Sequence, residues 1–500
     1  MIKTERTGFE PVDQLLTGHV FSKDAHSTTL PPLLKSHFPR HWRNAAVGIL
    51  NVPRQSRKEA TPHRSFLNPI RKSLAIAVLG ILLFSNNRIL RADVISAQDE
   101  MAAVATISAS DAGRHIAALA DDAFEGREAG TRGGRAAGAY IVDNIDRLSL
   151  EPAGDAGSFY QSFGRMRNIL ALVPGSDPAV ADELVILSGH YDHVGYGKKS
   201  NSYGPFGLVH NGADDNASGV AGILEIAEAI QSLPTPPRRS VLLAFWDGEE
   251  KGLLGSKHFL KNRPDPLGTY QIVFCINLDM IGRLRNDRLE VFGSRTAEGM
   301  RSLCSVANNY KATKALELIY NWKISADSDH YPFIKKKIPT LMFHTGLHDN
   351  YHRPSDDVHL VNLIGLEPVA QFTLRTLLKV AHNPEDIKPF REACRQESEA
   401  KRRKLESRAV SGKKARWGIG TRGDQAEPHV PVIVRVEPGS PADRGGLKVA
   451  DRLVRIENKT LVDQSDMVSR FGQLTGEVEL TIERRGKIMK IIMKEDDNLN

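Results

Sequence analysis

Cysteine is scarce in this 500-residue chain. Cys275, Cys304 and Cys394 are all it has, and no two stand in a C-x-x-C spacing. So sparse and odd a count builds no disulfide framework, although it leaves export open. Cys275 lies in the apolar run Ile272 to Ile276 and reads as a buried thiol. Basic surplus is also missing from most of the chain. The net charge is +7, but residues 1–92 hold 14 Lys or Arg against 5 Asp or Glu, and the remainder holds 53 against 55. A folded body without excess positive charge offers no groove for nucleic acid, so none is expected as a partner. The apolar stretch Leu74 to Phe84 is too short for a comfortable membrane span, which takes about 20 residues. With 41% hydrophobic and 25% charged residues the rest is ordinary globular material, long enough for two or three domains.

Residues 1–70 are rich in Pro, Ser, His and Arg, and their composition predicts disorder. Arg71 and Lys72 then precede the apolar stretch, and Asn86, Asn87 and Arg88 close it. Residues 71–97 thus have the layout of a signal peptide, with Ala92 or Ala97 near a cleavage point. A signal peptide should begin a chain, so the expectation is a start codon assigned too early. A signal anchor and a short buried helix are the alternatives. The body is expected to be exported, periplasmic or extracellular, and membrane-anchored only if residues 73–85 are retained.

From 105 to 382, strand-like and helical runs alternate. Strands are expected at Asn168 to Val173, Glu183 to Gly189, Ser240 to Trp246, Gln271 to Asp279, Arg288 to Phe292 and Thr340 to His344. Helices are expected at Ser108 to Leu119, Ala136 to Leu148, Ala217 to Gln231, Leu253 to Lys261, Ala297 to Tyr310 and Leu360 to Ala381. This alternation predicts an α/β fold, an αβα sandwich with a mostly parallel central sheet. In such sheets ligands sit beyond the carboxyl ends of the strands.

Five polar motifs fall at those ends. His190-Tyr191-Asp192-His193 ends the first central strand, where an imidazole with a carboxylate close behind it suits a metal ligand. Asp214-Asp215 opens a helix between glycines, and helix capping alone needs only one of the two acids. Asp247-Gly248-Glu249-Glu250 follows an apolar strand with three carboxylates in four residues, which repel unless a cation compensates them. Asp279 sits among Leu278, Met280 and Ile281 and needs a partner, either a metal or an arginine such as Arg283. His352 lies in the loop after the last strand. Each motif has a bland reading alone. Their recurrence at successive strand ends points to metal, and carboxylates with imidazoles suit zinc, with a shared carboxylate suiting a pair of ions.

In this order the motifs resemble the co-catalytic dizinc aminopeptidases typified by bacterial leucyl aminopeptidase. Phe124-Glu125-Gly126-Arg127 and Ser328-Asp329-His330 resemble stretches of secreted bacterial members. The resemblance covers about residues 108–382. It implies that His190 and Asp279 bind one zinc, that Glu250 and His352 bind the other, and that Asp215 bridges both. It makes Glu249 the general base for a water shared by the ions, Asp192 the partner of His190, and Tyr351 a group that stabilises the oxyanion. Asp214 would take a structural role, and a sharp turn would fall at Asp215-Asn216. The protease-associated insert of some members has no room here, so the Gly195 to His210 loop is expected to wall or cover the pocket. The implied substrate is a peptide or protein N-terminus.

Residues 383–416 are dense in charge and read as a solvated linker. Residues 417–495 carry Trp417-Gly418-Ile419-Gly420, the series Gly439-Ser440-Pro441-Ala442, then Gly446-Leu447 and Asp451-Arg452-Leu453. These resemble a PDZ domain of the bacterial protease type, a small, mainly-β unit, with Ala450 where the pattern has glycine. The resemblance implies that a C-terminal peptide adds to a strand edge, its carboxylate held near Trp417 to Gly420. A domain that only packs on the body is the alternative. Rival activities are those of dizinc carboxypeptidases or deacylases, which usually carry a lid domain absent here, and of single-zinc glutaminyl cyclases. A catalytically dead, peptide-binding scaffold is the rival outside catalysis.

Overall fold

The computed structural model of the protein describes residues 95–310, 314–395 and 416–495, all within one compact unit, Leu83–Asn500. The basic segment 1–70, the signal-like stretch up to residue 94 and linker residues 396–415 lie outside the described residues.

Runs of consecutive apolar residues make the central strands, because a strand covered on both faces needs no polar alternation. Strand β5 (Ser240–Trp246) is buried at every position. Around it stand β1 (Glu151–Pro152), β2 (Tyr160–Phe163), β3 (Met166–Val173), β4 (Glu183–His190), β6 (Gln271–Leu278), β7 (Arg288–Phe292), β8 (Glu317–Asn321) and β9 (Thr340–His344). The sheet order is β1-β3-β5-β4-β6-β9-β7-β8, with β2 paired to β3. Strands β5, β4, β6 and β9 run parallel, while β3 and β7 join antiparallel at either side. The sheet is thus parallel at its centre and mixed at its margins.

Alternate residues of β5 enter different cores. Val241, Leu243 and Phe245 pack with α1 (Ala97–Thr106), α2 (Ala109–Leu119), α3 (Arg132–Arg147), α4 (Gly219–Gln231) and, further along, α6 (Met300–Asn308) and α8 (Leu363–His382). Leu242, Ala244 and Trp246 pack with Phe259 of α5 (Leu254–Lys261) and Phe333 of α7 (His330–Lys335). The three cysteines are free and buried. Helix α3 begins before the expected Ala136, because the Thr131 side chain accepts the Gly134 N–H and caps a turn that reads as a Gly-rich loop.

The C-terminal sheet runs β10 (Ile419–Arg422), β11 (Val432–Val436), β12 (Arg452–Ile456), β14 (Glu477–Arg484), β15 (Lys487–Lys494), with β13 (Lys459–Thr460) beside β12. Its core holds Trp417, Ile433, Leu453, Leu480 and Ile482, with α9 (Pro441–Arg444) and α10 (Gln464–Gln473) alongside. Ala450 has φ +75°, the left-handed conformation that favours the glycine of the usual pattern.

This domain is docked on the body by buried charge. Arg301 of α6 meets Glu483 at 2.7 Å, and Asp424 joins Arg295 at 2.9 Å to Arg452 at 2.7 Å. The β14–β15 turn reaches the body's sheet margin, where Leu318 N–H donates to Arg485 O at 2.8 Å. Removing one partner of a buried pair costs about 3–5 kcal/mol, so the docking resists rearrangement.

Helix α4 carries Glu225, 1% exposed, which accepts the Ser108 N–H at 2.8 Å where α2 begins. Burial pushes its carboxyl up from 4.5 to about 7, with Glu228 and Asp111 adding to the effect against the Ser108 bond. A carboxyl that binds its proton more tightly when folded stabilises the fold below its unfolded pKa. That stability is lost as pH rises from 4.5 through about 7. Glu225→Gln should therefore unfold with less pH dependence over this window and be about 1–3 kcal/mol more stable at pH 8. Urea denaturation at pH 4.5 and 8 measures this; an unchanged pH slope contradicts it.

Candidate metal centre

Four parallel strands bring their carboxyl ends to one edge of the sheet, and the polar motifs converge there. His190 is the last residue of β4, Asp279 follows β6, Glu249 and Glu250 follow β5, and His352 lies in the loop beyond β9. Asp214 and Asp215 sit in a wide, π-type turn, Ala213–Ser218, that leads into α4. The peptide bond Asp215-Asn216 is cis, at the place where the resemblance implies a sharp turn.

The side chains form two groups that share Asp215. In one, His190 Nε2 lies 3.4 Å from Asp215 Oδ1 and 3.5 Å from Asp279 Oδ1. In the other, His352 Nε2 lies 3.1 Å from Asp215 Oδ2 and 3.1 Å from Glu250 Oε1. The two oxygens of Asp215 thus face different groups, as a bridging carboxylate must. A further residue enters the second group: His193 Nδ1 is 3.0 Å from Glu250 Oε1 and 3.6 Å from Asp215 Oδ2. All the donor atoms within each group lie within 4.8 Å of one another.

Charge and hydrogen bonding both favour a cation here. Asp215 Oδ2 and His352 Nε2 are buried and neither has a hydrogen-bond partner, although they face each other. Burial opposes charging His352, but Asp215 and Glu250 overcome it and push the imidazole up to about 11. His190 is likewise drawn well above its ordinary range, by Glu249, Asp279 and Asp215 against the effect of burial. Burial pushes Glu249 well up, and Glu250, Asp329 and Asp279 add to it against His190. A site that would protonate two buried imidazoles lacks positive charge. Converging imidazole and carboxylate donors fit zinc.

Around the two groups stands a rigid frame. Arg127 is 1% exposed and its guanidinium donates to five carbonyls, those of Tyr191, Leu119, Asn211, Gly212 and Asp215. One side chain therefore ties the His190 loop to the Asp215 turn. It is aimed inward by three consecutive left-handed residues: Glu125 at φ 53°, Gly126 at 66° and Arg127 at 47°. Gly126 has no alternative, since a Cβ there would stand 2.4 Å from Gly195 O. Asp356 Oδ2 accepts the N–H groups of Asp214 at 3.0 Å and Asp215 at 3.1 Å, and its other oxygen meets Arg283 at 3.3 Å. Arg283, the alternative partner for Asp279, is thereby engaged elsewhere. Asp214 accepts from Ser218 Oγ and Gly282 N–H, which gives it the expected structural role.

The Asp192 carboxylate lies 3.9 Å from His190 Nδ1, which faces the Asp192 backbone carbonyl at 3.1 Å, and it also accepts the Glu249 N–H at 3.0 Å. One expectation needs correction. The Gly195 to His210 loop does not line the pocket. Its Ser202 and Tyr203 instead hydrogen-bond to His352 O and brace that segment. The cavity, about 420 Å³, is walled by Met280, Phe292, Met342 and Leu347 together with the polar Glu290, Asn321, Lys323 and Asp327, and opens onto His190, Asp215, Glu249, Glu250 and Asp279. Tyr351 also lines it and stacks on His352 at 3.9 Å between ring centroids. Behind Asp279, the Ser328-Asp329-His330 stretch is buried, with Asp329 accepting from Ser256 Oγ and pushed up by burial to about 6 against His190.

With this geometry in place, comparison with known proteins is informative. Residues 168–377 match the model of Peptidase family M28, and residues 432–484 match that of the PDZ domain. The chain carries a domain of each kind. Leupeptin-inactivating enzyme 1 of Streptomyces exfoliatus is 27% identical over 213 residues, 43% of this chain and 43% of that protein. Aminopeptidase YwaD of Bacillus subtilis (strain 168) is 27% identical over 187 residues, 36% of this chain and 37% of that protein. The match thus spans less than half the length of either relative. BSAP, a zinc aminopeptidase from Bacillus subtilis, is a solved structure with TM-score 0.45 and 15% identity, covering 56% of this chain and 99% of that one.

Arg127→Lys tests the frame. Lysine keeps the charge but not the forked donors, so most of these carbonyls lose their partner. Zinc affinity should fall about 10–100-fold, as when groups that support metal ligands are removed. Competition with a chromogenic chelator measures it, and an unchanged affinity contradicts the role.

Proposed function

We propose that the protein is a zinc metallopeptidase that releases N-terminal residues from peptides. The carrying observation is the pair of donor groups that share Asp215, with Glu249 beside them on one cavity. The aminopeptidase activity in the name of YwaD and the family of residues 168–377 point the same way. His190 and Asp279 would hold one zinc, Glu250 and His352 the other, with Asp215 between them. Bound there, the ions would polarise the peptide carbonyl and acidify a water.

The chain's own residues supply the rest. Glu249 is the proton carrier: its backbone N–H is held by the Asp192 carboxylate, and it lines the cavity beside both donor groups. It takes a proton from the attacking water and returns it to the departing amine. Tyr351, stacked on His352, points its ring at the same cavity and is placed to donate to the oxygen that gains charge.

In the PDZ domain, edge strand β10 is the surface for an extended peptide, since only its β11 side is paired in the sheet. The Gln464 side chain already bonds Gly423 N–H at 2.6 Å and Thr421 O at 3.2 Å, which confines a ligand to the end near Trp417. The buried ion pairs of Arg301 with Glu483 and Arg295 with Asp424 hold that surface at a set position on the catalytic body. Export is part of the proposal, on the strength of the Arg71 to Phe84 sequence; cell fractionation tests it.

The activity test uses the full chain with zinc, aminoacyl-anilides and N-blocked peptides. Free N-termini should be cleaved, chelation should abolish turnover, and Glu249→Gln should lower kcat by about 10²–10⁴-fold while zinc content is kept. Turnover confined to blocked N-termini contradicts the aminopeptidase reading, and full activity of Glu249→Gln contradicts the assigned base.

A further inference from the structure

We infer that His193 is a protein ligand of the ion held by Asp215, Glu250 and His352, so that this ion has four protein donors and its neighbour three. The inference rests on the metallopeptidase reading and adds to it a division of labour between the two ions.

The distances carry it. Zinc held tetrahedrally at about 2.0–2.1 Å sets its donor atoms about 3.3 Å apart. The contacts in this group are 3.0 Å and 3.6 Å from His193 Nδ1, and 3.1 Å and 3.1 Å from His352 Nε2. Each lies within about 0.3 Å of that tetrahedral edge. The two rings meet edge-on, 5.5 Å apart at 81°, so their nitrogens converge without the rings colliding.

The chain also builds a seat for the ring. His193 is fully buried, and its N–H donates to Arg127 O at 3.2 Å, which fixes the backbone. The ring lies against Gly212, where a Cβ would stand 2.5 Å from His193 Cδ2 and any side chain would displace it. Gly212 has φ 55°, so two demands on that position have one answer. Nδ1 faces the carboxylates while buried Nε2 has no partner, which leaves the inward nitrogen as the working one.

The cavity reaches both groups: His190 and Asp279 line it for one and Glu250 for the other, while His193 is not among its walls and Tyr351 stacks on the His352 ring. Structural zinc sites are closed by protein ligands, and catalytic ones keep a place open. The four-donor ion would be retained and hold Asp215 in place. The three-donor ion, with one place left open by the protein, would exchange more readily and take the substrate.

The test is X-ray absorption on the full chain loaded with zinc, which needs no variant to fold. Three imidazoles for two ions are expected. Two imidazoles for two ions would overturn the proposal and leave His193 as a hydrogen-bond donor to Glu250, with the metallopeptidase reading intact. Failure to bind zinc at all would overturn both. As a second measurement, His193→Gln should weaken one of the two zinc sites by more than about 100-fold in chelator competition, beyond the 10–100-fold typical of a supporting group. A smaller loss, or equal loss at both sites, counts against the ligand role.

Discussion

Negative charge packed out of water is the constraint around which this molecule is arranged. Asp192, Asp214, Asp215, Asp247, Asp279, Asp329 and Asp356 are all buried near one end of the sheet. Carboxylates so placed raise one another's pKa unless something answers their charge. Backbone N–H groups answer part of it: Asp356 takes two, and Asp192, Asp247 and Asp214 take one each. Arg127 and Arg283 add charge at the periphery, but both face outward from the shared carboxylate toward carbonyls or Asp356. What remains open is the inner side, where Asp215 Oδ2 faces His193 and His352 without a hydrogen-bond partner. Two dications between the groups would complete the balance.

The fold follows from holding that charge still. A parallel centre gives four strand ends on one edge, each with a loop free to carry an acid or a histidine. The apolar residues beneath, Phe245, Leu278 and Phe343 among them, keep those ends from shifting. Close fixing matters because a ligand displaced by an ångström no longer shares an ion. The PDZ domain is held by the same device of buried, answered charge, through Arg301, Glu483, Asp424 and Arg452.

Much of this was legible in the sequence, for a physical reason. Ser240 to Trp246 and Thr340 to His344 are strands at the expected bounds because unbroken apolar runs end there on polar residues. The same contrast exposed the motifs around His190, Asp215, Glu250, Asp279 and His352, and the family resemblance chose the ligands within them. Strand β8 escaped notice because Glu317–Asn321 is half-polar and mostly half-buried, held by its pairing with β7. His193 and Arg127 were beyond reach for a different reason. Their roles depend on how the backbone turns after a strand or within a left-handed loop, and residue type does not reveal that. The Asp192 carboxylate shows the same limit: spacing placed it beside His190, and its second contact, with the Glu249 N–H, depends on the turn.

The central claim is that Asp215 joins two ions. It is tested most directly by crystals of the protein grown with zinc and measured on both sides of the zinc absorption edge. The account predicts two anomalous peaks, one beside each oxygen of Asp215, the first also near His190 and Asp279 and the second near Glu250 and His352. A single peak, or peaks that leave Asp215 without a zinc on one side, would contradict it.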